Sequence, residues 1–266
     1  MKKFYLIGKN INKSLSPHIH NYVFNYFSLD AKYEIKPISS SNEIPSVLLA
    51  VSKGDISGVN VTNPYKIASF NYINFFDEAT QRIGSVNCIN KEQENIKGYN
   101  TDWYGFKKVV EKKSINAAKV IGYGGAGRAV EYALLSLGIK NIQIYTRTTI
   151  DHPNNIVYRD ISEIINQKYQ KEDIIINSTP YHFINEMSEG NFNNLLSREI
   201  FWLDLLYTKL STEREKYFNN NLYKNGIDML IYQALASIDI WFRKNISKSV
   251  DLDDLKLHLK EVIHAN

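Results

Sequence analysis

The sequence predicts an α/β protein built from two units. Three observations carry this. Short apolar runs of strand length alternate with amphipathic helical stretches along most of the chain. The alternation stops near residue 227, after which two helical patterns follow one another. A chain of 266 residues is long for one domain and comfortable for two.

The strand-like runs fall at residues 4–7, 33–38, 58–62, 119–122, 141–146, 173–178 and 201–205. Helical stretches at 17–27, 44–51, 103–111 and 128–137 lie between them, an order that predicts parallel sheets. From 227 to 245 apolar residues recur at helical spacing, including Leu230, Ala234, Ile238 and Trp241. A last helix is expected at 252–263, with Asp251, Asp253 and Asp254 at the positive end of its dipole. These two helices either cap a domain or pack back on the first one. A cleft between two α/β units is a common place for a small ligand.

Composition narrows the function. Apolar residues make up 44% and charged residues 23%, as in ordinary soluble proteins. The net charge is only +4 and no long Lys/Arg run occurs, so no nucleic-acid partner is expected. No apolar run reaches membrane length, and the apolar segment 4–7 is too short for a secretory signal. The lone Cys88 excludes an internal disulfide and a cysteine-rich zinc site. A cytoplasmic protein without metal or membrane contact is expected, monomer or homodimer.

The clearest local motif is the run from Lys119 to Ala129, in which Gly122, Gly124 and Gly127 have G-x-G-x-x-G spacing between a strand and a helix. Gly122 permits the turn, Gly124 lets backbone approach a pyrophosphate, and Gly127 lets helix and strand pack closely. The helix N-terminus then offers N–H groups to the anion. This predicts a Rossmann-like dinucleotide site. The next strand ends in Thr146, Arg147, Thr148 and Thr149 rather than an acidic residue. A guanidinium beside hydroxyls suits a 2′-phosphate, which favours NADP over NAD.

Three segments of the first half hold more polar groups than packing needs. Ser14 and Ser16 stand at a helix start, either to cap it or to present hydroxyls to a carboxylate. Strand alternation puts Asn60 and Thr62 on one face, and Lys66 follows the Asn63–Pro64 break where a strand's C-terminal end meets ligands. Asn87 lies in an apolar strand, where its amide needs a partner. Asp102 is either a helix N-cap or a carboxylate that faces the cleft. His18 and His20, two apart on a helix, face different ways and carry no functional signal.

Together these segments resemble the shikimate dehydrogenase family across nearly the whole chain. The pieces occur in that family's order: Ser-Leu-Ser-Pro (14–17), Asn-Val-Thr-Asn-Pro-Tyr-Lys (60–66), Gly-Ser-Val-Asn (84–87), Asn-Thr-Asp (100–102), the glycine-rich turn, Asn-Ser-Thr-Pro (177–180), Asp-Leu-Leu-Tyr (204–207) and Met-Leu-Ile-Tyr-Gln-Ala (229–234). The resemblance implies reversible, NADPH-dependent reduction of 3-dehydroshikimate to shikimate. It implies a substrate domain of residues 1–101, completed by 227–266, and a cofactor domain of 102–226. Lys66 and Asp102 match the catalytic pair. Ser14, Ser16, Asn60, Thr62, Asn87, Tyr207 and Gln233 match substrate-binding positions. Gly122, Gly124, Gly125, Ala126 and Gly127, Thr146, Arg147 and Thr148, and Thr179, Phe183 and Gly226 match the cofactor side.

The chain departs from the pattern at several points. Asn10 and Lys13 replace a Pro and a His before Ser14, and Thr146 replaces an Asn. Asp151 stands where a second Arg often follows, which leaves NAD open beside NADP. His182 and Phe183 replace Gly-Met near the nicotinamide position, and Thr208-Lys209 replaces Asn-Pro after Tyr207. Two neighbouring readings follow: a quinate/shikimate enzyme that uses NAD, or a non-catalytic sensor of shikimate or nucleotide. Retention of Lys66 and Asp102 speaks against the sensor, and the paired Ser14 and Ser16 favour shikimate over quinate.

Overall fold

Apolar alternation sets the first sheet. In the computed structural model, residues 1–170, 172–197, 200–207 and 222–265 are described; Thr208 and Lys209 lie outside them. The chain divides into two compact units, Met1–Gly105 with Leu230–Asn266, and Phe106–Met229. Among the described residues no helix is long and apolar enough to cross a membrane.

The first unit runs β1 (Lys2–Gly8), α1 (Ser16–Tyr26), β2 (Ala31–Pro37), α2 (Ile44–Lys53), β3 (Gly58–Val61), α3 (Lys66–Phe70), β4 (Phe75–Phe76), α4 (Glu78–Ile83), β5 (Cys88–Glu92), β6 (Asn95–Tyr99) and then α5 (Asp102–Val110), which leaves it. Its sheet has the order β2-β1-β3-β5-β6-β4. The β2-β1-β3 part is parallel, but β5 is antiparallel to both β3 and β6. The expectation of parallel sheets is therefore corrected here. The β5–β6 turn at Gln93–Glu94 has no glycine, and Gln93 itself takes the left-handed conformation (φ 54°), so the usual turn signature is missing. Val59, Val61, Ile7 and Ile89 point into a core shared with Val47 and Val51 of α2. Leu6, Asn60 and Cys88 are paired one residue out of step and belong to the other face.

The second unit runs β7 (Ala118–Ile121), α6 (Gly125–Ser136), β8 (Ile142–Thr146), β9 (Asn155–Val157), α7 (Ser162–Ile165), β10 (Ile174–Asn177), α8 (Phe183–Glu186), α9 (Glu189–Ser197), β11 (Phe201–Asp204) and β12 (Tyr223–Lys224). All its strand pairs are parallel, in the order β12-β11-β10-β7-β8-β9. Read from the far edge, this is the doubly wound dinucleotide-binding order, in which the side on which strands are added switches between β7 and β10. Every residue of β7 and β10 is buried, as expected of strands covered on both faces. Ile121, Tyr145, Ile175 and Trp202 pack with Ile164, Phe192 and Leu195 of the helices.

The last helices are α10 (Ile227–Phe242) and α11 (Leu252–Ala265). From Leu230 onward they belong to the first unit. Trp241 fixes α10 on the sheet: its ring stacks on Phe4 at 4.5 Å and its Nε1 donates to the Ile89 carbonyl (3.0 Å). Gly58 makes this approach possible, since a Cβ there would stand 2.4 Å from Trp241 Nε1.

Candidate active site

The first unit gathers one dense polar cluster. Lys66 opens α3 just after the cis Asn63–Pro64 bond, and Asp102 opens α5. Lys66 Nζ donates to Asp102 Oδ2 at 2.7 Å, with the two side chains 17% and 6% exposed. Asp102 is not the cap of its helix. Its N–H donates to Asn100 Oδ1 (3.0 Å), and Asn100 is held by Ser85, so the carboxylate is left for the cluster.

Asn87 joins the pair to the C-terminal helix. It stands one residue before β5 rather than inside a strand, though its backbone still donates to the Tyr99 carbonyl (3.0 Å) and accepts the Val61 N–H (2.9 Å). Its Nδ2 donates to Asp102 Oδ1 (2.9 Å) and Thr101 Oγ1 (2.9 Å) and approaches Gln233 Oε1 (3.3 Å). Its Oδ1 accepts the Thr101 N–H at 2.6 Å. Thr101 Oγ1 also meets Ser237 Oγ at 3.3 Å, one helical turn beyond Gln233. Thr101 and Ser237 are fully buried and were not anticipated from sequence. Their signal was weak: Thr101 is the middle of Asn-Thr-Asp, and Ser237 is a serine on an apolar helix.

Asn60 supports this cluster. Its Nδ2 donates to the Asn87 carbonyl and to Ser237 Oγ, both at 3.0 Å, and its Oδ1 accepts from the Tyr33 hydroxyl at 3.0 Å. Both amide protons are thus taken by protein, and one oxygen lone pair is left for a ligand. Thr62 lies just past the end of β3, where its N–H still donates to Ile7.

Ser14 and Ser16 form a pair at the start of α1. Ser14 Oγ accepts the Ser16 N–H (3.2 Å) and donates to Ser16 Oγ (3.2 Å). Neither serine is the N-cap of α1, which is Leu15 and has no side-chain cap bond; the Ser14 hydroxyl instead takes the N–H of the first helical residue. His20, one turn on, is buried and stacks on Tyr33 at 3.9 Å. Burial pushes it down to about 4, so it is neutral, and Nδ1–H donates to the Ser16 carbonyl (2.8 Å).

The second unit carries the glycine-rich turn. Gly122 takes φ +91°, and a Cβ there would meet Thr179 Cγ2 at 2.7 Å. At Gly127 a Cβ would lie 2.4 Å from the Gly122 carbonyl, so this glycine serves helix–strand packing. Gly124 is different: a Cβ would meet nothing within 4 Å, so the backbone there borders open space. It is also the N-cap of α6 and offers no side chain to the first turn, which includes Gly125 and Ala126. An open cradle at an uncapped helix start fits a pyrophosphate. At the end of β8, Arg147 and Thr148 are exposed, whereas the Thr146 hydroxyl is committed to the Thr148 carbonyl (2.6 Å).

The remaining cofactor-side positions sit in structural roles. Thr179 donates to Asn177 Oδ1 (2.8 Å) and packs against Gly122. Phe183 is half-buried against the core of this unit, with its ring 6.5 Å from Tyr158. Gly226 lies against Leu205, where a Cβ would stand 2.1 Å from the carbonyl oxygen. Tyr207 is half-buried in this second unit, after β11. Among the described residues no group of three or more His, Cys, Asp or Glu side chains could hold a metal ion.

The family model described as the shikimate dehydrogenase substrate binding domain matches residues 6–89. The chain is 33% identical to a shikimate dehydrogenase (NADP(+)) of Caldicellulosiruptor saccharolyticus, covering 96% of this chain and 98% of the relative. It is 34% identical to the corresponding protein of Clostridium beijerinckii, covering 91% and 92%. A crystal structure of shikimate dehydrogenase 1 from Peptoclostridium difficile superimposes with a TM-score of 0.79 at 29% identity, over 99% of this chain and 98% of that one.

Proposed function

The chain belongs to the shikimate dehydrogenase family, and from that premise we propose that it reduces the ketone of 3-dehydroshikimate to the alcohol of shikimate with NADPH, reversibly. The observation that carries the reading is the Lys66–Asp102 pair, a partly accessible ammonium bonded at 2.7 Å to a buried carboxylate and anchored by Asn87.

The chemistry follows from charge. Bound NADPH supplies the hydride. As hydride reaches the carbonyl carbon, negative charge grows on the oxygen, which needs a cation and then a proton. Lys66 meets both needs, as electrostatic stabiliser and general acid. An ammonium has three protons, and one is directed at Asp102. Asp102 orients that ammonium and accepts from the hydroxyl next to the reacting carbon. Asn87 and Gln233 hold the ring hydroxyls, with Thr62 and the remaining lone pair of Asn60. Ser14 and Ser16 take the substrate carboxylate, with Tyr207.

On the cofactor side, the backbone at Gly124, Gly125 and Ala126 takes the pyrophosphate, and Arg147 with Thr148 takes the 2′-phosphate. Gly122, Gly127 and Gly226 let the backbone approach closely, Thr146 shapes the phosphate loop, and Thr179 and Phe183 border the nicotinamide. The buried, lone Cys88 suits a reducing cytoplasm.

The test is spectrophotometric. Wild type is offered shikimate with NADP at mildly alkaline pH, beside Lys66→Ala, and shikimate binding is measured for both. Turnover that falls by about 100-fold or more in a variant that still binds shikimate supports the reading. Wild type without turnover, or a variant that keeps it, refutes it.

A further inference from the structure

Beyond the groups assigned so far, one chain of titratable side chains in the second unit links two elements of the cofactor side. Tyr123 lies in the glycine-rich turn between Gly122 and Gly124, and its hydroxyl donates to Glu131 Oε2 on α6. Glu131 Oε1 lies 2.8 Å from His152 Nε2. His152 belongs to the loop after β8 that presents Arg147 and Thr148. Its Nδ1 accepts the Asn154 N–H (3.2 Å), which puts the ring proton on Nε2, directed at Glu131. The two side chains are only 12% and 14% exposed. The Tyr123 and His152 rings stand 4.9 Å apart, and the Arg128 guanidinium lies 5.6 Å from the Tyr123 ring.

The loop itself is internally braced. Asn155 Nδ2 donates to Thr146 Oγ1 (2.6 Å), Asn155 Oδ1 accepts from the Ile150 N–H (3.3 Å), and the Thr146 hydroxyl holds the Thr148 carbonyl. These bonds hold the loop together from Thr146 to Asn155. Its root is tied to the glycine-rich turn by the Gly122 N–H, which donates to the Tyr145 carbonyl (2.8 Å), and the His152–Glu131 bond ties its far end to α6.

We propose that Tyr123, Glu131 and His152 form a positioning clamp that fixes the spacing between the glycine-rich turn and the Arg147–Thr148 segment, and thereby sets affinity for a dinucleotide bearing a 2′-phosphate. This rests on the NADP reading above. A pyrophosphate on the turn and a 2′-phosphate at the next strand end are parts of one ligand, so a fixed spacing between their sites removes an ordering cost at binding. NAD lacks the second anchor and depends on that spacing less. None of the three residues needs to touch the ligand.

The experiment titrates wild type, His152→Ala, His152→Gln and Glu131→Gln with NADP, NAD and 2′,5′-ADP by calorimetry, with steady-state kinetics alongside. His152→Ala is expected to weaken NADP and 2′,5′-ADP by about tenfold, the scale of one charge-assisted hydrogen bond, and NAD by about twofold or less. The KM for NADP rises while kcat at saturation and the KM for shikimate hold. His152→Gln, which restores an N–H donor, recovers most of the loss. Glu131→Gln keeps an acceptor for His152 and stays within about twofold of wild type. Equal weakening of NADP and NAD in His152→Ala, no recovery in His152→Gln, or tighter NADP binding in Glu131→Gln each overturns the clamp. The last outcome would make the carboxylate a repelling charge instead. Wild type that binds NAD as tightly as NADP refutes the cofactor reading itself, and the clamp falls with it.

Discussion

Asp204→Asn is expected to stabilise the second unit, by an amount that grows with pH. Asp204 ends β11 with no exposed surface. Its Oδ1 accepts from the Leu206 N–H (3.0 Å) and from Asn177 Nδ2 (3.2 Å), and its Oδ2 lies 3.7 Å from His182 Nδ1. Burial outweighs the hydrogen bonds and pushes the carboxyl from 3.8 up to about 7. The unfolded chain therefore gives up this proton near the ordinary value, and the folded chain only near neutrality. Below the unfolded value both forms hold the proton and the stabilising contribution is whole. Between the two values folding takes up a proton, so stability falls as pH rises, and the loss is complete above the folded value. About three pH units at roughly 1.4 kcal/mol each make this about 4 kcal/mol. Burial shifts His182 the other way, down, which costs stability on the acid side, but His182 is present in both proteins and its intrinsic cost cancels in the comparison. Asn keeps the Oδ1 acceptor for both N–H groups and places a neutral amide where Oδ2 stood. Urea unfolding of both proteins between about pH 4 and about pH 8 should show a stability gap that opens from near zero to about 4 kcal/mol. A gap that stays within about 1 kcal/mol over that range would refute the claim that burial governs this carboxyl.

Three other substitutions follow from the same geometry. Gly58→Ala places a Cβ 2.4 Å from a tryptophan ring already fixed by its bond to Ile89, and should cost about 2 kcal/mol, read as a lower urea midpoint with an unchanged slope. Thr101→Val removes the 2.9 Å acceptor of Asn87 Nδ2 in a buried cluster; a loss of about 1–3 kcal/mol is expected, with a raised KM for shikimate as the amide loses its orientation. Asp151→Ala removes an exposed carboxylate close in sequence to Arg147, and should lower the KM for NADP by about threefold at low salt, with less effect at high salt and none on NAD.

Legibility in the sequence followed the range of the interactions involved. Strands β7 and β10 are short, mostly apolar runs buried along their whole length, so their signal is complete in four residues. The glycine-rich turn is equally local, since the positive φ of Gly122 and the tight packing at Gly127 each demand glycine whatever the rest of the chain does. The β5–β6 hairpin was hidden because Gln93 supplies a left-handed turn without glycine or asparagine, and polar Lys91–Asn95 reads as loop. Strands β4 and β12, of two residues each, carry no periodicity at all.

The polar cluster around Lys66 shows a different limit. Lys66, Asn87 and Asp102 stood out in sequence only as polar residues at a strand end, in an apolar run and at a helix start, and Gln233 only through the family's motif order. Their meaning lies in a hydrogen-bond account that spans Asn87 to Gln233, a separation of 146 positions. That account also sorts residues that spacing treats alike. Strand alternation marks Asn60 as a residue of the polar face, yet its amide spends both protons on Asn87 and Ser237 and its oxygen takes Tyr33. Asn60 is thereby fixed in place, and it fixes Ser237, which in turn meets Thr101 beside Asn87. Lys66 spends one proton on Asp102 and keeps an accessible side chain. Hydrogen bonds spent within the protein hold a side chain in one orientation, and that is what this network supplies to the cluster. Buried Ser237, marked in sequence only as a serine on an apolar helix, belongs to that network, because removing its hydroxyl would leave an Asn60 proton with no acceptor.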